Sequence, residues 1–295
     1  MKNNKSYKDM TREERKQAAQ AKAQAALDRL GDGIRSVWES QAWRRWLDSL
    51  AKFHDYSLNN TMLIAMQMPE ATRVASYRSW RRDFDRHVKK GERGIEILVP
   101  MVVKSRSEDE EVPQDDEGTT ERKRLVGFRV GHVFDVSQTE GEPLPEIASH
   151  VSADVSGFDS LMDAIRAVSA YPIEVVDGLP PETNGLFSRR MGYIAVRRGM
   201  PQGQTVKTAL HELAHSVMHD ADAKELPDRS MREVQAESVA YAVSAALGLD
   251  TSGYSFGYVA SWAVGKTDEE MRACMQAVRD AAKQIIDRLQ LVMEP

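Results

Sequence analysis

Residues 205–219 read TVKTALHELAHSVMH, and this stretch decides how the C-terminal half of the chain is interpreted. Its apolar residues recur every three or four positions, which is the spacing of the buried side of an amphipathic helix. These residues are Val206, Ala209, Leu210, Leu213 and Val217. The stretch therefore predicts a helix whose open face carries Thr208 and the sequence HELAH at residues 211–215.

The spacing of the two histidines predicts a metal centre. His211 and His215 are four positions apart, so both imidazoles lie on one face of the helix and can reach a single ion. Glu212 lies beside them and is placed to accept a proton from an activated water. We therefore predict a site of the zinc metallopeptidase type, with His211 and His215 as ligands and Glu212 as general base.

A third ligand must come from another element, because catalytic zinc usually has three protein ligands and one open position. The following predicted helix, at about residues 229–247, offers Glu233 and Glu237 one turn apart. We expect Glu233 to bind the metal and Glu237 to hold a ligand histidine by a hydrogen bond. Residues 230–233 also match a capping box, and if Glu233 only caps its helix, Glu237 becomes the ligand. Zinc fits this donor set best, although manganese, iron or nickel would also accept it.

Three further residues are candidates for roles around the metal. His219 lies one turn beyond His215 and is expected to be hydrogen-bonded or exposed, with a place at the rim or a role as an extra ligand as alternatives. Tyr254, Tyr258 and His219 are candidates for stabilising an oxyanion. Residues 193–196 read as a strand, which we expect to be a sheet edge where an extended peptide pairs.

Charge is distributed unevenly along the chain. Residues 1–100 carry 20 Lys and Arg against 13 Asp and Glu, whereas residues 101–295 carry 20 against 32. A basic half joined to an acidic half suggests that one half meets a polyanion, although a chance asymmetry of the surface would look the same. The single Cys274 excludes an internal disulfide, and no apolar run or leader suggests a membrane or secreted protein. We therefore expect a cytoplasmic location.

Aromatic and basic residues are interleaved between residues 34 and 100. Such a mixture is typical of surfaces that bind single-stranded nucleic acid, where cations meet phosphates and rings stack on bases. Trp43, Trp46 and Phe53 have helical spacing and are expected in the core. Tyr56, Tyr77 and Trp80 lie at the ends of predicted elements and are expected to be exposed. The turn at residues 89–94, KKGERG, combines cations with glycines and is a candidate phosphate contact.

The order of the elements predicts an α+β fold, because helices and strands do not alternate regularly. The predicted helices lie at residues 11–30, 34–53, 58–68, 79–88, 157–170, 205–219, 229–247 and 267–293. The predicted strands lie at residues 72–77, 95–103, 173–176 and 193–196 and in the stretch after residue 124. The charged residues 104–124 are interpreted as a hairpin loop, and we expect two domains, residues 1–148 and 149–295.

Several segments, in this order along the chain, resemble one family. They are residues 56–60, residues 73–77 with Trp80, residues 89–95, residues 133–139, and HELAH followed by Glu233 and Glu237. This set resembles the ArdC-type antirestriction proteins. The resemblance implies an N-terminal domain that binds single-stranded DNA and a C-terminal zincin-like metallopeptidase domain. It also implies a bacterial protein that protects incoming plasmid DNA from host restriction during conjugation, with a host restriction enzyme or another protein as a candidate substrate.

The candidate DNA-binding residues within these segments are Tyr56, Asn59, Arg73, Tyr77, Trp80, Lys89, Lys90 and Arg93. Two other functions fit the same residues. One is a DNA-dependent metalloprotease that acts on DNA-bound or crosslinked proteins, and the other is a single-strand shield with a non-catalytic metal site. Glu212 argues against the shield, because a purely structural site needs no general base.

Overall fold

Three helices open the described part of the chain. The computed structural model describes residues 10–38, 40–105, 122–144, 157–221, 226–254, 256, 259 and 263–294. The helices are α1 (Arg12–Ser36), α2 (Ser40–Lys52) and α3 (Leu58–Gln67). Thr11 caps α1 in a capping box with Glu14, and Ser57 caps α3, which ends before Pro69. These caps are the predicted ones.

The boundary between the first two helices was predicted wrongly. Helix α1 continues through Gly31 to Ser36 instead of ending at Gly31, and α2 begins only at Ser40. A glycine costs a helix only about 1 kcal/mol, and burial of Leu30 and Ile34 offsets this. Gly33 lets α3 approach closely, because a Cβ there would lie 2.5 Å from the sulfur of Met66.

The other described residues of the N-terminal half form five strands, one short α-helix and a 3-10 turn at Val136–Gln138. They are β1 (Val74–Ser76), α4 (Tyr77–Asp83), β2 (Arg86–Val88), β3 (Ile95–Ser105), β4 (Arg122–Asp135) and β5 (Thr139–Gly141). Strands β1, β4 and β3 form an antiparallel sheet in that order, and β2 pairs with β5. The predicted helix at residues 79–88 begins earlier, is capped by Ser76, and gives way to β2.

The charged segment after residue 104 connects two paired strands, as predicted. Strands β3 and β4 pair antiparallel from Ile95 opposite Val133 to Ser105 opposite Arg122. This pairing confirms a hairpin around the charged segment. Residues 106–121 themselves lie outside the described residues.

The C-terminal half combines a three-stranded sheet with helices. Its elements are α5 (Phe158–Val168), β6 (Ile173–Val176), β7 (Gly185–Ser188), β8 (Tyr193–Arg197), α6 (Gln202–Met218), α7 (Arg229–Ala246) and α8 (Asp268–Met293). Strand β8 lies in the middle, parallel to β6 and antiparallel to β7. The prediction that residues 193–196 form a sheet edge is therefore wrong. The edge strand beside α6 is β7, whose short, partly buried pattern was not recognised in the sequence.

Helix α2 packs directly against α7, which carries the two candidate glutamates. The indole N–H of Trp43 donates to Ser238 Oγ at 3.0 Å, and the hydroxyl of Tyr241 donates to Asp48 at 2.5 Å. Trp43, Trp46 and Phe53 are buried, as predicted. One hydrophobic cluster runs from α1 and α2 to α7 and α8.

The mixed helix and strand composition is confirmed. The expected domain boundary near residue 148 falls in residues 145–156, outside the described residues, and the division into two domains stays a prediction. Within the described ranges, no helix is both long enough and apolar enough to cross a membrane.

Candidate metal centre

Helix α6 is amphipathic in the way the sequence predicts. Val206, Ala209, Leu210 and Leu213 are fully buried, and Val217 is partly buried. The opposite face turns His211 and His215 toward a cavity of about 710 Å³ between β7 and the first turns of α7. The buried face fixes the rotation of the helix, and the helical period then places both imidazoles on the cavity side.

The structure brings three candidate ligands together at the cavity floor. The Nε2 atoms of His211 and His215 are 3.1 Å apart. A carboxylate oxygen of Glu233 lies 3.5 Å from the first of these atoms and 3.8 Å from the second. Two nitrogens bound at about 2.1 Å to one tetrahedral ion would be separated by about 3.4 Å. The geometry and the donor types therefore fit one divalent cation held by His211, His215 and Glu233.

Glu237 contacts the opposite side of the same histidine. Its Oε2 lies 3.1 Å from His211 Nδ1, and its Oε1 lies 3.1 Å from the ammonium of Lys207. In this position Glu237 accepts the Nδ1–H of His211 and leaves Nε2 free for a cation, which is the usual arrangement behind a ligand histidine. The alternative in which Glu233 caps α7 is wrong, because Asp228 is the N-cap and accepts the Met231 amide at 2.9 Å.

Charges in this cluster are strongly coupled. Burial alone would lower the pKa of His211, but the hydrogen bonds that its ring donates to Glu233 and Glu237 raise that pKa to about 9. The same bonds hold the pKa of Glu233 well below its usual range. The cluster therefore stabilises positive charge between the two glutamates, either a proton on His211 or a cation in its place.

Glu212 lies at the side of the cavity and contacts β7. Its Oε2 accepts the Phe187 amide at 2.7 Å, and burial raises the pKa of its carboxyl group. The close approach requires a glycine at position 185, because a Cβ there would lie 2.5 Å from a methyl carbon of Thr208 and 2.8 Å from Glu212 Cγ. Strand β7 thus holds one oxygen of Glu212 and leaves the other available for proton transfer.

His219 lies behind His215 and takes part in a buried chain of hydrogen bonds. Its Nδ1 lies 2.9 Å from His215 Nδ1, and its Nε2 lies 3.0 Å from Gln235 Oε1. Since an amide oxygen only accepts, His219 carries its proton on Nε2 and accepts the Nδ1–H of His215. Burial lowers the pKa of His219 to about 4, which keeps it neutral. The hydrogen-bonded role expected for His219 is the observed one, whereas Gln235 was missed because no spacing rule marks it.

None of the aromatic candidates for oxyanion stabilisation that the structure describes offers a free donor to the cavity, although His219 lines it. The Tyr254 hydroxyl pairs with Ser244 Oγ at 2.9 Å in the core, and burial raises its pKa. The Lys207 ammonium lies 4.0 Å from the centre of the Tyr254 ring. His219 is occupied behind His215, and Tyr258 lies outside the described residues.

The candidate DNA-binding residues of the N-terminal half fall into two groups. Tyr77 is 55% exposed, and Lys89, Lys90 and Arg93 are exposed, although the Lys89 ammonium donates to Ser137 O at 2.9 Å. Trp80 is completely buried and donates its indole N–H to Phe134 O at 2.8 Å, so the expectation of an exposed ring is wrong. The amphipathic character of α4 turns this ring inward against β4.

The remaining candidates are partly engaged by the protein. Tyr56 is half-buried against Phe53, its carbonyl accepts from Arg279, and the Asn59 side chain accepts from Arg272 at 2.8 Å. Arg73 is partly buried. A shallow cavity of about 360 Å³ next to α4 is lined by Tyr77, Arg81, Asp85, Arg86 and His87. Arg81 and Arg86 were not among the predicted DNA-binding residues, although both belong to the basic run of the sequence.

Comparison with known proteins identifies the N-terminal half. Residues 10–134 match the family described as the N-terminal domain of anti-restriction factor ArdC. An uncharacterized protein of Bacillus anthracis is 24% identical over 285 residues, covering 81% of this chain and 46% of the relative. The chain thus spans about half of the length of this curated relative.

The structural comparison finds two partial matches among solved structures. They are crystal structures of the antirestriction protein ArdC from the R388 plasmid, one metal-free and one with Mn(II) bound. The metal-free structure is 18% identical with a TM-score of 0.46 and covers 81% of this chain and 84% of that chain. The Mn(II)-bound structure is 20% identical with a TM-score of 0.44 and covers 79% of this chain and 85% of that chain. The family match over residues 10–134 therefore relates the N-terminal half of the chain to the ArdC anti-restriction factors.

Proposed function

We propose that this chain is an antirestriction protein of the bacterial cytoplasm that binds single-stranded DNA and hydrolyses peptide bonds at a zincin-like metal site. The observation that carries the hydrolytic part is the convergence of His211, His215 and Glu233, with Glu212 at the edge of the same cavity. The antirestriction part is taken over from the ArdC proteins that the chain resembles.

Each residue of the site has a separate task in the proposed reaction. The chemistry that a divalent cation supplies when bound is Lewis-acid activation of a water and of a substrate carbonyl. His211, His215 and Glu233 would hold the cation, and their other contacts keep both imidazoles oriented. Glu212 would accept the proton of the attacking water and later donate it to the leaving amine. Its raised pKa favours the second transfer.

The donor set favours zinc, and manganese is the main alternative because one ArdC structure is described as Mn(II)-bound. The edge of β7 supports a peptide substrate. The Arg197 amide donates to Asn184 O. Along an antiparallel pair, successive residues alternate between bonding to the partner strand and facing away from it. The backbone N–H and C=O groups of Gly185 and Phe187 therefore face away from β8. They face the side of Glu212, since the Phe187 amide reaches its carboxylate. An extended peptide would pair along this edge.

The hydrolytic proposal is tested by incubating the zinc-loaded or manganese-loaded protein with a degenerate peptide library and sequencing the products by mass spectrometry. We expect cleavage that a chelator abolishes and that the Glu212→Gln protein reduces about 100- to 10,000-fold, the usual contribution of a general base. Metal content and melting temperature serve as controls for the variant. Equal cleavage by the wild-type and Glu212→Gln proteins would contradict the assignment of Glu212.

Exposed cations of the N-terminal half support the DNA-binding proposal. Arg78, Arg81, Lys90 and Arg93 are exposed and form no ion pair among the described residues. With the exposed ring of Tyr77 they combine a stacking surface with phosphate contacts. Backbone contacts would make the affinity depend on salt, and stacking would favour single strands over duplex.

The DNA-binding proposal is tested by fluorescence anisotropy with single-stranded and duplex oligonucleotides across a salt series. Tyr77→Ala is expected to weaken binding of single strands by about 1 to 3 kcal/mol, whereas Tyr77→Phe keeps a stacking ring and should retain most of the affinity. Arg288 is exposed on α8, and Arg288→Gln is a control for loss of a single charge. A loss of equal size in Tyr77→Phe, or no preference for single strands, would overturn the placement of the DNA on this surface.

Plasmid transfer into a restricting host measures whether antirestriction requires DNA binding, peptide hydrolysis or both. Wild-type protein is expected to protect the entering plasmid. Protection that persists in Glu212→Gln and fails in Tyr77→Ala would assign antirestriction to DNA binding alone. Loss of protection in both variants would show that hydrolysis is required.

A further inference from the structure

Two arginines of the metal cavity have no partner among the residues that the structure describes. Arg229 is the first residue of α7, and Arg232 follows one turn later. Both line the cavity that contains His211, His215 and Glu233. Neither side chain forms a hydrogen bond or ion pair with any other residue in the described ranges.

The other cations of the cavity are neutralised. Lys207 is paired with Glu237 at 3.1 Å, and Arg189 is paired with Asp220 at 2.9 Å. Glu233 directly follows Arg232 in sequence, but its carboxylate is directed at the histidines and would be bound to a cation in the loaded site. Among the described residues that line the cavity, Arg229 and Arg232 are therefore the Lys or Arg residues without an ion-pair partner.

Arg232 is partly buried, and its Nε has no exposed surface and no acceptor. Folded proteins retain few such donors, because a buried N–H without an acceptor loses the hydrogen bond that it made to water. The Arg232 side chain also lines the open cavity, and its guanidinium has no acceptor among the described residues, so a ligand in the cavity can supply one. Arg229 is exposed to water, as Arg288 on α8 is, and differs from Arg288 in lining the cavity.

We propose that Arg229 and Arg232 form a subsite that binds a carboxylate of the substrate beside the metal centre. The inference deepens the proposed peptidase function and rests on it. A guanidinium binds a carboxylate through two parallel hydrogen bonds, which makes an arginine pair selective for a planar anion. The preferred substrates would carry Asp or Glu, or a free C-terminal carboxylate, close to the scissile bond.

The test uses the zinc-loaded Glu212→Gln protein, so that binding is measured without cleavage. Three short labelled peptides of otherwise equal sequence are compared by fluorescence anisotropy. The first has a central Glu and an amidated C-terminus, the second has Gln in its place, and the third has the central Gln with a free C-terminal carboxylate. A peptide with a bound carboxylate should bind at least about tenfold more tightly than the neutral one, since tenfold corresponds to about 1.4 kcal/mol and one charged hydrogen bond supplies that much.

The arginine dependence is tested with Arg229→Gln and Arg232→Gln in the same background. Each is expected to remove most of the preference for the carboxylate without lowering the melting temperature, because neither side chain has a partner to lose. Arg232→Lys should retain only part of the preference, since lysine cannot form the paired hydrogen bonds. Arg288→Gln is the matched control and should leave the preference unchanged.

The outcomes separate the subsite from the peptidase. Equal affinity for the charged and neutral peptides, or a preference that survives both arginine substitutions, would overturn the subsite even if the wild-type protein cleaves peptides. An arginine-dependent preference without any cleavage by the wild-type protein would support the subsite and contradict the peptidase. If Arg232→Gln instead weakens binding of a single-stranded oligonucleotide and leaves peptide binding unchanged, the arginines serve nucleic acid and the proposal fails.

Discussion

A single methyl group added at Gly185 is expected to impair catalysis and leave metal binding almost unchanged. A Cβ at this position would lie 2.5 Å from Thr208 Cγ2, 2.8 Å from Glu212 Cγ and 2.9 Å from Glu212 Oε1. Ordinary carbon contacts are about 3.5 to 4 Å, so these atoms or the strand must move by about 1 Å. Overpacking of this kind costs about 1 to 3 kcal/mol of stability. Displacing a catalytic group by about 1 Å costs about 100-fold in rate.

Gly185→Ala should therefore lower the free energy of unfolding by about 1 to 3 kcal/mol and peptide hydrolysis by about 100-fold. Metal affinity should stay within about threefold, because the substitution touches no ligand. Gly178→Ala is the matched control, since a Cβ there meets no atom within 4 Å. Denaturant unfolding, zinc competition and hydrolysis rates are measured on both variants. Wild-type stability and activity in Gly185→Ala would refute the close packing of β7 against α6.

Three further predictions concern the metal ligands and the N-terminal sheet. Glu237→Gln should weaken zinc binding about 10- to 100-fold, and Glu233→Gln should weaken it more; the reverse order in a zinc competition titration would exchange their roles. Because the pKa of metal-free His211 is raised from 6.5 to about 9, protonation should stabilise the metal-free fold below pH 6.5, and this stabilisation should be lost as the pH rises through 9. Zinc affinity should rise over the same pH range, and calorimetry should detect a released proton; a flat affinity would contradict the shift. Asp135 is buried and accepts three backbone amides, so Asp135→Ala should cost about 3 kcal/mol in denaturant unfolding, and a cost below about 1 kcal/mol would show that water replaces the carboxylate.

Helices with apolar periodicity and capping residues were predictable from sequence. Thr11 and Ser57 cap the helices that they were expected to cap, and the buried stripe of α6 fixes the direction of HELAH. The sequence interpretation preferred Glu233 as the ligand but left Glu237 open as the alternative, because the two residues lie one turn apart on the same helix. The choice depends on which nitrogen of His211 each carboxylate meets, which is a tertiary relation.

Short strands were the main failure of the sequence interpretation. Strand β7 has only four residues, and its alternation is too brief to distinguish it from a loop. Its position decides which edge of the sheet faces the cavity and what holds Glu212. The burial of Trp80 was missed for a related reason, because a helix of seven residues is too short for its apolar positions to show a period.

The relation between the two halves also lay beyond sequence patterns. The contact of Trp43 with Ser238 joins residues 195 positions apart, and no local rule anticipates it. This contact places α2, which lies in the segment that matches the ArdC N-terminal domain, beside α7. The residue that Trp43 contacts, Ser238, directly follows Glu237 in sequence. A substitution in α2 can therefore disturb the metal cluster without touching a ligand.

The most direct test of the central claim is a crystal structure of the protein grown with zinc or manganese, with the ion located by its anomalous scattering. We predict one ion bound by the Nε2 atoms of His211 and His215 and by the carboxylate of Glu233, with Glu237 on Nδ1 of His211 and Glu212 not coordinated. An ion held by Glu237 in place of Glu233, or no ion at this cavity, would contradict the metal centre described above.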